Sequence, residues 1–194
     1  LVNSYTTNRQ DQPTVAMNND GLFVVAWESR RAFQVDQREK IYAQNFDANG
    51  NKMATEFYVG TNATEDYQEY TPSIDMDEKG NFIIVWQNIT TSNDRTISGR
   101  YYLTGNTVGN LQIISSSSTF FEKSSPSISI NKNGEAVVVW SSLNQVNVNS
   151  IYDVFGQRFN TDFQKIGGEF QVNTYTTNSQ GISDIVLCEN NDFV

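Results

Sequence analysis

A frame of proline, glycine and tryptophan recurs three times along this chain and limits the folds available to it. The segments are PTVAMNNDGLFVVAW (13–27), PSIDMDEKGNFIIVW (72–86) and PSISINKNGEAVVVW (126–140). In each, the tryptophan follows the proline by 14 residues and the glycine by six. Internal similarity at fixed spacing indicates one supersecondary unit copied along the chain.

Each repeat is predicted to form four short strands. In the first strand, apolar residues such as Val15 and Met17 alternate with polar ones, which is typical of a strand with one buried face. The proline is expected to be its first residue, where no ladder N–H is needed. A turn rich in Asn, Asp and Gly leads into the second strand, LFVVAW, NFIIVW or EAVVVW, which is apolar enough to be buried on both faces. The third strands are IYAQNF, ISGRYY and VFGQRF, and the fourth are EFYV, LQII and EFQV.

The repeated double-sided strand predicts the fold class. A single four-stranded sheet cannot bury both faces, so the copies must pack on one another. Sheets packed face to face around an axis form a β-propeller. We therefore predict an all-β protein built of propeller-type blades, each a four-stranded antiparallel sheet. A β-sandwich is the alternative, although it does not require the same frame in every unit.

The repeats also divide the chain. Residues 1–12 are assigned to the end of a preceding repeat and a linker, and 13–71, 72–125 and 126–182 to three blades. Residues 183–194 are assigned to the start of a fourth, because SDIVLCENNDFV aligns with PTVAMNNDGLFV at the same offset that relates VNTYTTNSQ to VNSYTTNRQ. We expect further repeats on both sides. Neighbouring repeats or identical chains are the expected partners, through the open sheet edges.

Composition excludes several classes of function. A net charge of −9 and a pI near 4.4 argue against binding a nucleic-acid backbone or an anionic membrane. The chain has no histidine, the commonest general base and transition-metal ligand. Cys188 is the only cysteine, so no internal disulfide can form. No apolar run is long enough to span a membrane.

Two acidic segments have the alternating oxygen pattern of a calcium loop. They are DMDEKG (75–80) and DANGN (47–51), and they make Asp75, Asp77 and Asp47 candidate calcium ligands. Both lack the closing glutamate of an EF-hand. The alternative is a plain hairpin turn, because Asn and Asp favour turns for backbone reasons. No other metal and no cofactor are predicted.

Two sequons, NAT at Asn62 and NIT at Asn88, are predicted N-glycosylation sites. Asn62 is expected in the loop between two repeats and Asn88 at the start of the loop after Trp86. Both are expected to be exposed, which favours an extracellular or cell-surface location. The many aromatic residues are expected to pack between blades, with a glycan-binding surface as the alternative.

Propeller enzymes of the sialidase type use carboxylates, a tyrosine and clustered arginines. The tryptophan here lies farther from the glycine than the aromatic residue of a sialidase Asp box does. The arginines are scattered along the sequence, at Arg9, Arg30, Arg31, Arg38, Arg95, Arg100 and Arg158. We therefore predict no enzyme activity and no catalytic residues.

The segments VNTYTTNSQ, GLFVVAWES, IYAQNFDANGNK, VFGQRFN and GGEFQVNTYTT resemble a repeat of very large secreted or surface proteins of bacteria and ciliates. The middle repeat departs from that pattern, with Arg100 where Gln44 and Gln157 stand. The resemblance implies a non-enzymatic extracellular scaffold: a coat, adhesin or filament component. The alternatives are a propeller module that binds a glycan or protein and, last, a glycosidase-like propeller enzyme.

Overall fold

The computed structural model describes residues 1–31, 38–60, 67–104, 107–115, 122–143, 145, 152–175, 177–181, 184–190 and 192–194. Within them, twelve strands form three four-stranded sheets, and consecutive strands within each sheet pair antiparallel. The prediction of an all-β fold with four-stranded blades is confirmed.

The first sheet consists of β1 (Gln10–Met17), β2 (Phe23–Arg30), β3 (Glu39–Phe46) and β4 (Phe57–Tyr58). The second consists of β5 (Gln68–Met76), β6 (Phe82–Ile89), β7 (Arg95–Leu103) and β8 (Thr107–Ile113). The third consists of β9 (Lys123–Ile130), β10 (Ala136–Leu143), β11 (Tyr152–Phe159) and β12 (Lys165–Gln171).

The sheets pack face to face, with their first strands β1, β5 and β9 side by side. One apolar core lies between the first and second sheets and a second between the second and third. A third, smaller core joins Val137 and Val139 of β10 to Ile185 and Leu187 near the C-terminus. The second strands β6 and β10 supply residues to cores on both of their faces, as their apolar sequences predicted, whereas β2 supplies residues to a core on one face only.

The constant spacing of proline and tryptophan has a structural cause. In each first strand, two residues lie opposite one tryptophan, which makes a β-bulge. Each bulge has a residue of positive φ followed by the proline: Gln12 (47°), Thr71 (49°) and Ser125 (50°). The prediction that the proline opens the strand is therefore wrong. The strand begins three or four residues earlier, and the bulge removes the need for an N–H at the proline.

The tryptophans occupy equivalent buried positions in the three sheets, with exposed fractions of 4%, 1% and 0% for Trp27, Trp86 and Trp140. Burial of the first strands differs between sheets. Ile74 and Met76 are 6% and 9% exposed, whereas the equivalent Val15 and Met17 are 62% and 65% exposed. The predicted burial of Val15 and Met17 is wrong because, among the described residues, no sheet covers that face of the first sheet.

None of the described residues forms a helix with the length and apolar character needed to cross a membrane.

Candidate functional site

Two carboxylates lie directly opposite each other near one end of the first sheet. The register of β1 and β2 pairs Asp11 with Glu28, immediately before the bulge. Opposed residues of an antiparallel pair share a face, with Cβ atoms about 4.5–5.5 Å apart. Like charges at such positions oppose folding, so this pairing requires another explanation.

The other two sheets have no charge at these positions. Tyr70 lies opposite Gln87 in the second sheet, and Ser124 lies opposite Ser141 in the third. The backbone arrangement is the same in all three, because each pair precedes the same bulge. The carboxylate pair is therefore a feature of the first sheet and not a requirement of the fold.

Two arginines and a third carboxylate surround the pair. Arg9 forms an ion pair with Asp11 and lies 4.0 Å from Glu39 through Nη1. Arg30 lies opposite Glu39 across β2 and β3, and its Nε is 3.5 Å from Glu39 Oε1. The second sheet adds Tyr70, whose hydroxyl is 3.2 Å from Glu39 Oε2. We call Arg9, Asp11, Glu28, Arg30, Glu39 and Tyr70 the inner-strand cluster.

Glu28 lies at the base of this cluster, only 2% exposed. Its Oε1 accepts a hydrogen bond of 2.7 Å from the backbone N–H of Thr71 in the second sheet. Burial raises the pKa of the Glu28 carboxyl, and the negative charges of Asp11 and Glu39 act in the same direction. Burial also raises the pKa of Tyr70, with the Glu39 charge contributing. A carboxyl with a raised pKa beside other carboxylates is suited to donate a proton.

Asp11 and the arginines make the cluster accessible. The side chains of Arg9, Arg30 and Asp11 are 53%, 46% and 34% exposed, whereas that of Glu39 is 7% exposed. Asp11 Oδ1 is itself buried and has no hydrogen-bond partner among the described residues, and Oδ2 accepts from Arg9. The cluster thus combines a buried carboxyl with a raised pKa, a partly exposed carboxylate paired with arginine, and two cationic side chains.

The predicted calcium ligands lie elsewhere and are not brought together. Asp77 and Asp47 each begin a hairpin turn, where Oδ1 accepts hydrogen bonds from the backbone N–H groups of residues 79 and 81, or 49 and 51. Asn18 and Asn131 make the same turn without a charge. Hydrogen bonds, the strongest from Asn51, lower the pKa of Asp47.

Asp75 has a different role, because its Oδ2 accepts a hydrogen bond of 2.7 Å from Ile130 N in the third sheet. Burial raises the pKa of Asp75. Within the part of the chain that the structure describes, no three carboxylate or cysteine side chains converge on a potential metal position. The side chain of Cys188 is exposed.

The two sequons differ in what the structure says of them. Asn62 lies outside the described residues. Asn88 lies within β6 rather than in the following loop, and it is half-buried. Its Oδ1 accepts a hydrogen bond of 2.8 Å from Trp86 Nε1, and its Nδ2 donates to Ser98 Oγ. Glycosylation at both asparagines stays a prediction.

Sequence reasoning missed every catalytic candidate in the inner-strand cluster. It treated Arg9 and Arg30 as scattered, whereas the sheet brings them to the same carboxylate, Glu39. The available signal was the repeat itself, since Asp11 and Glu28 are charged where the aligned residues of the other repeats are neutral.

Comparisons with known proteins identify the fold. No family model matches the chain, and no curated protein does; the resemblance to surface-protein repeats therefore stays a prediction. The α-L-arabinofuranosidase of Fusarium graminearum, solved with arabinobiose, matches with a TM-score of 0.60 and 11% identity over 89% of this chain and 53% of its own. An α-L-arabinanase of Penicillium chrysogenum, also with arabinobiose, matches with a TM-score of 0.61 and 12% identity over 91% and 54%. An endo-arabinase of Bacteroides thetaiotaomicron matches with a TM-score of 0.54 and 14% identity, over 93% of this chain and 67% of its own.

These similarities support the propeller-type fold, and this chain spans about half the length of the first structures it matches. They also correct the functional prediction. The expectation of a non-enzymatic scaffold, coat, adhesin or filament component is wrong, because the three solved structures named above are enzymes. The prediction that the chain is not an enzyme is contradicted by the same comparison. The sequence prediction took the arginines as scattered, whereas Arg9 and Arg30 converge on Glu39 once the strands have paired.

Proposed function

We propose that this chain is part of a glycoside-hydrolysing propeller whose reaction takes place at the inner-strand cluster. The observation that carries the proposal is the pair Asp11 and Glu28, opposed across β1 and β2 where the other sheets have uncharged pairs. Glycoside hydrolysis generally uses two carboxyl groups, one as acid and one as base or nucleophile. The fold similarity to carbohydrate-cleaving enzymes supports this choice among reactions that use paired carboxyls.

The environments of the two carboxyls suggest their roles. Glu28, buried and with a raised pKa, gives its proton to the glycosidic oxygen as the bond from that oxygen to the anomeric carbon breaks. Asp11, partly exposed, accepts a proton from the water that attacks the anomeric carbon. One water is consumed, and the proton on Asp11 returns to solvent while Glu28 is reprotonated. Glu39 positions Arg30 and Arg9 beside the pair.

The first substrates to test are α-L-arabinofuranosides, since the structures with this fold include an arabinofuranosidase and an arabinanase bound to arabinobiose. Release of nitrophenol from an aryl α-L-arabinofuranoside and of reducing ends from arabinan would measure the activity. Glu28→Gln and Asp11→Asn should each reduce kcat by about 10²–10⁴-fold, the usual contribution of a general acid or base.

Matched controls separate chemistry from folding. Glu78→Gln and Asp162→Asn make the same changes at exposed turn positions outside the cluster and should leave kcat unchanged. Glu28→Gln should also flatten the alkaline limb of the pH profile, because that limb reflects loss of the Glu28 proton. Activity that survives both cluster substitutions, or is absent from the wild-type chain on these substrates, would contradict the proposal.

The uncovered face of the first sheet indicates that the expected partner is another β-sheet. In the second and third sheets, the equivalent residues are covered by the sheet that precedes each along the chain. We infer that the face bearing Val15 and Met17 packs against the sheet of another copy of the repeat. An extracellular location is proposed with it, supported by the two sequons; a mass measurement of native protein that finds Asn62 unmodified would count against that location.

A further inference from the structure

A pocket of about 290 Å³ lies between the outer strands of the first and second sheets, separate from the inner-strand cluster. Its walls are formed mainly by Phe57 and Tyr58 of β4 and by Tyr102 and Val108 of the second sheet. It exists partly because β4 has only two residues, whereas β8 and β12 have seven each. Its volume lies near the lower end of the range of about 300–1,000 Å³ for ligand sites.

The next interface along the chain contains an aromatic side chain from a turn. Between the second and third sheets, the ring of Phe163 is 1% exposed and stacks on Phe159 with ring centroids 4.5 Å apart. Phe163 belongs to the turn after β11 and packs in the core with Ile97 and Ile114 of the second sheet. When the repeats are aligned on Gly99 and Gly156, the second repeat has Asn106 at the position of Phe163. In the second sheet, Tyr102, which aligns with Phe159, stacks instead on Phe82, with ring centroids 4.7 Å apart.

One wall of the pocket carries a cation. Arg100 donates two hydrogen bonds of 2.8 Å from Nη1, to the carbonyl oxygens of Val59 and Gly60. Its Nε is buried and has no hydrogen-bond partner among the described residues. No described carboxylate forms an ion pair with it. The first and third repeats have Gln44 and Gln157 here, which donate instead to Ala54 O in the β3–β4 connection and to Ile166 O in β12.

We propose that this pocket binds a small aromatic carboxylate, with the ring against Phe57 and Tyr102 and the carboxylate on the Arg100 guanidinium. An apolar cavity the size of one or two rings takes up aromatic molecules from water. An ionised acceptor forms a stronger hydrogen bond with a guanidinium than a neutral one does. The site goes beyond the proposed hydrolysis and shares no residue with the inner-strand cluster.

Titration of the chain with 1-naphthoate, followed by calorimetry or ligand-observed NMR, tests the proposal. We expect one saturable site with a dissociation constant of about 1 mM or tighter, from the usual free energy per ligand atom. Val108→Trp should fill the pocket and weaken binding at least tenfold. Ile113→Trp is the matched control, because Ile113 lies on the same strand, is equally exposed (55% against 53%) and does not line the pocket.

A second pair of measurements isolates the charge. Arg100→Gln, which installs the residue of the other two repeats, should weaken 1-naphthoate about tenfold and leave the neutral analogue 1-naphthalenemethanol unchanged. No saturable binding to the wild-type chain, or equal binding by the Val108→Trp and Ile113→Trp variants, would overturn the proposal. Equal loss of the acid and the alcohol in Arg100→Gln would overturn the role of the carboxylate.

Discussion

At the scale of single residues, the position after each tryptophan distinguishes the three sheets. It holds Glu28, Gln87 and Ser141 in turn. Glu28 Oε1 accepts from Thr71 N at 2.7 Å, and Gln87 Nε2 donates to Lys123 O at 2.5 Å, so both connect their sheet to the first strand of the next. A glutamine at position 28 can therefore keep the link between sheets while removing the acidic proton.

The stability of the chain should depend on pH through Glu28. Burial raises the pKa of Glu28 in the folded state above its unfolded value. The stabilisation of the folded state by protonated Glu28 is therefore fully present below the ordinary glutamate pKa, and it is lost as the pH rises through the folded pKa. The advantage of Glu28→Gln over wild type in unfolding free energy should therefore grow from about pH 4, the ordinary glutamate range, to neutral pH. Urea unfolding at both pH values measures this. A variant that loses stability relative to wild type on going to neutral pH would contradict the assignment.

Chelation should leave the melting temperature unchanged. The oxygens of Asp77 already accept hydrogen bonds from the backbone of residues 79 and 81 and from Asn81 Nδ2. Asp77→Asn should cost about 1 kcal/mol or less, through the altered bond to Asn81. Thermal unfolding of both proteins with and without a chelator is the measurement. A chelator effect on wild type that is absent from the variant would identify a calcium site.

At the scale of elements, the bulge determines what the first strands can do. It places two residues opposite each tryptophan and so sets the register in which Asp11 faces Glu28. The residue before each proline has positive φ, a conformation that non-glycine residues adopt at a cost of about 1–3 kcal/mol. Three copies of the same strained bulge indicate that the register depends on it.

Adjacent serines in β9 allow a direct test of this strain. Ser125 has a φ of 50°, whereas Ser124 lies in the regular ladder opposite Ser141. Ser125→Gly should stabilise the chain by about 1 kcal/mol, because glycine adopts positive φ freely, and Ser124→Gly should destabilise it by about the same amount. Denaturant midpoints compare the two. Effects of equal sign would show that the bulge is not strained.

At the scale of the whole molecule, the three sheets have the same backbone arrangement, but one face of the first sheet is not covered by another described sheet. Val15 and Met17 are exposed where Ile128 and Ile130 are buried, at 5% and 9%. Isolated exposed apolar side chains need no explanation, but these two occupy positions at which the other sheets form their cores.

This uncovered face should make the chain associate with itself. Sedimentation at increasing concentration should detect oligomers of wild type, and Val15→Lys together with Met17→Lys should shift them towards monomer. Ile166→Lys is the control, because that side chain is also exposed (39%) but lies on the outer strand β12. A wild-type chain that stays monomeric at all concentrations, or oligomers that persist in the double variant, would contradict the proposed sheet-on-sheet contact.

Local sequence patterns were enough to predict the repeat, the four-strand pattern, the Asn and Asp turns and the burial of Trp86 and Trp140. These properties depend on residues close together in the chain, through the period of a strand and the backbone preferences of turns. The Pro-to-Trp spacing was visible too, but its cause, a bulge opposite the tryptophan, was not.

Tertiary structure alone decided the candidate site and the uncovered face. Asp11 and Glu28 are separated by a hairpin and become neighbours only in the register that the bulge imposes. Arg30 and Glu39 form an ion pair although the segment between them differs in length from those of the other repeats. Tyr70, which donates to Glu39, belongs to the second sheet. Whether Val15 is buried depends on which sheet packs beside it, not on its own strand. Contacts of this kind depend on the relative placement of whole elements, which local sequence patterns do not encode.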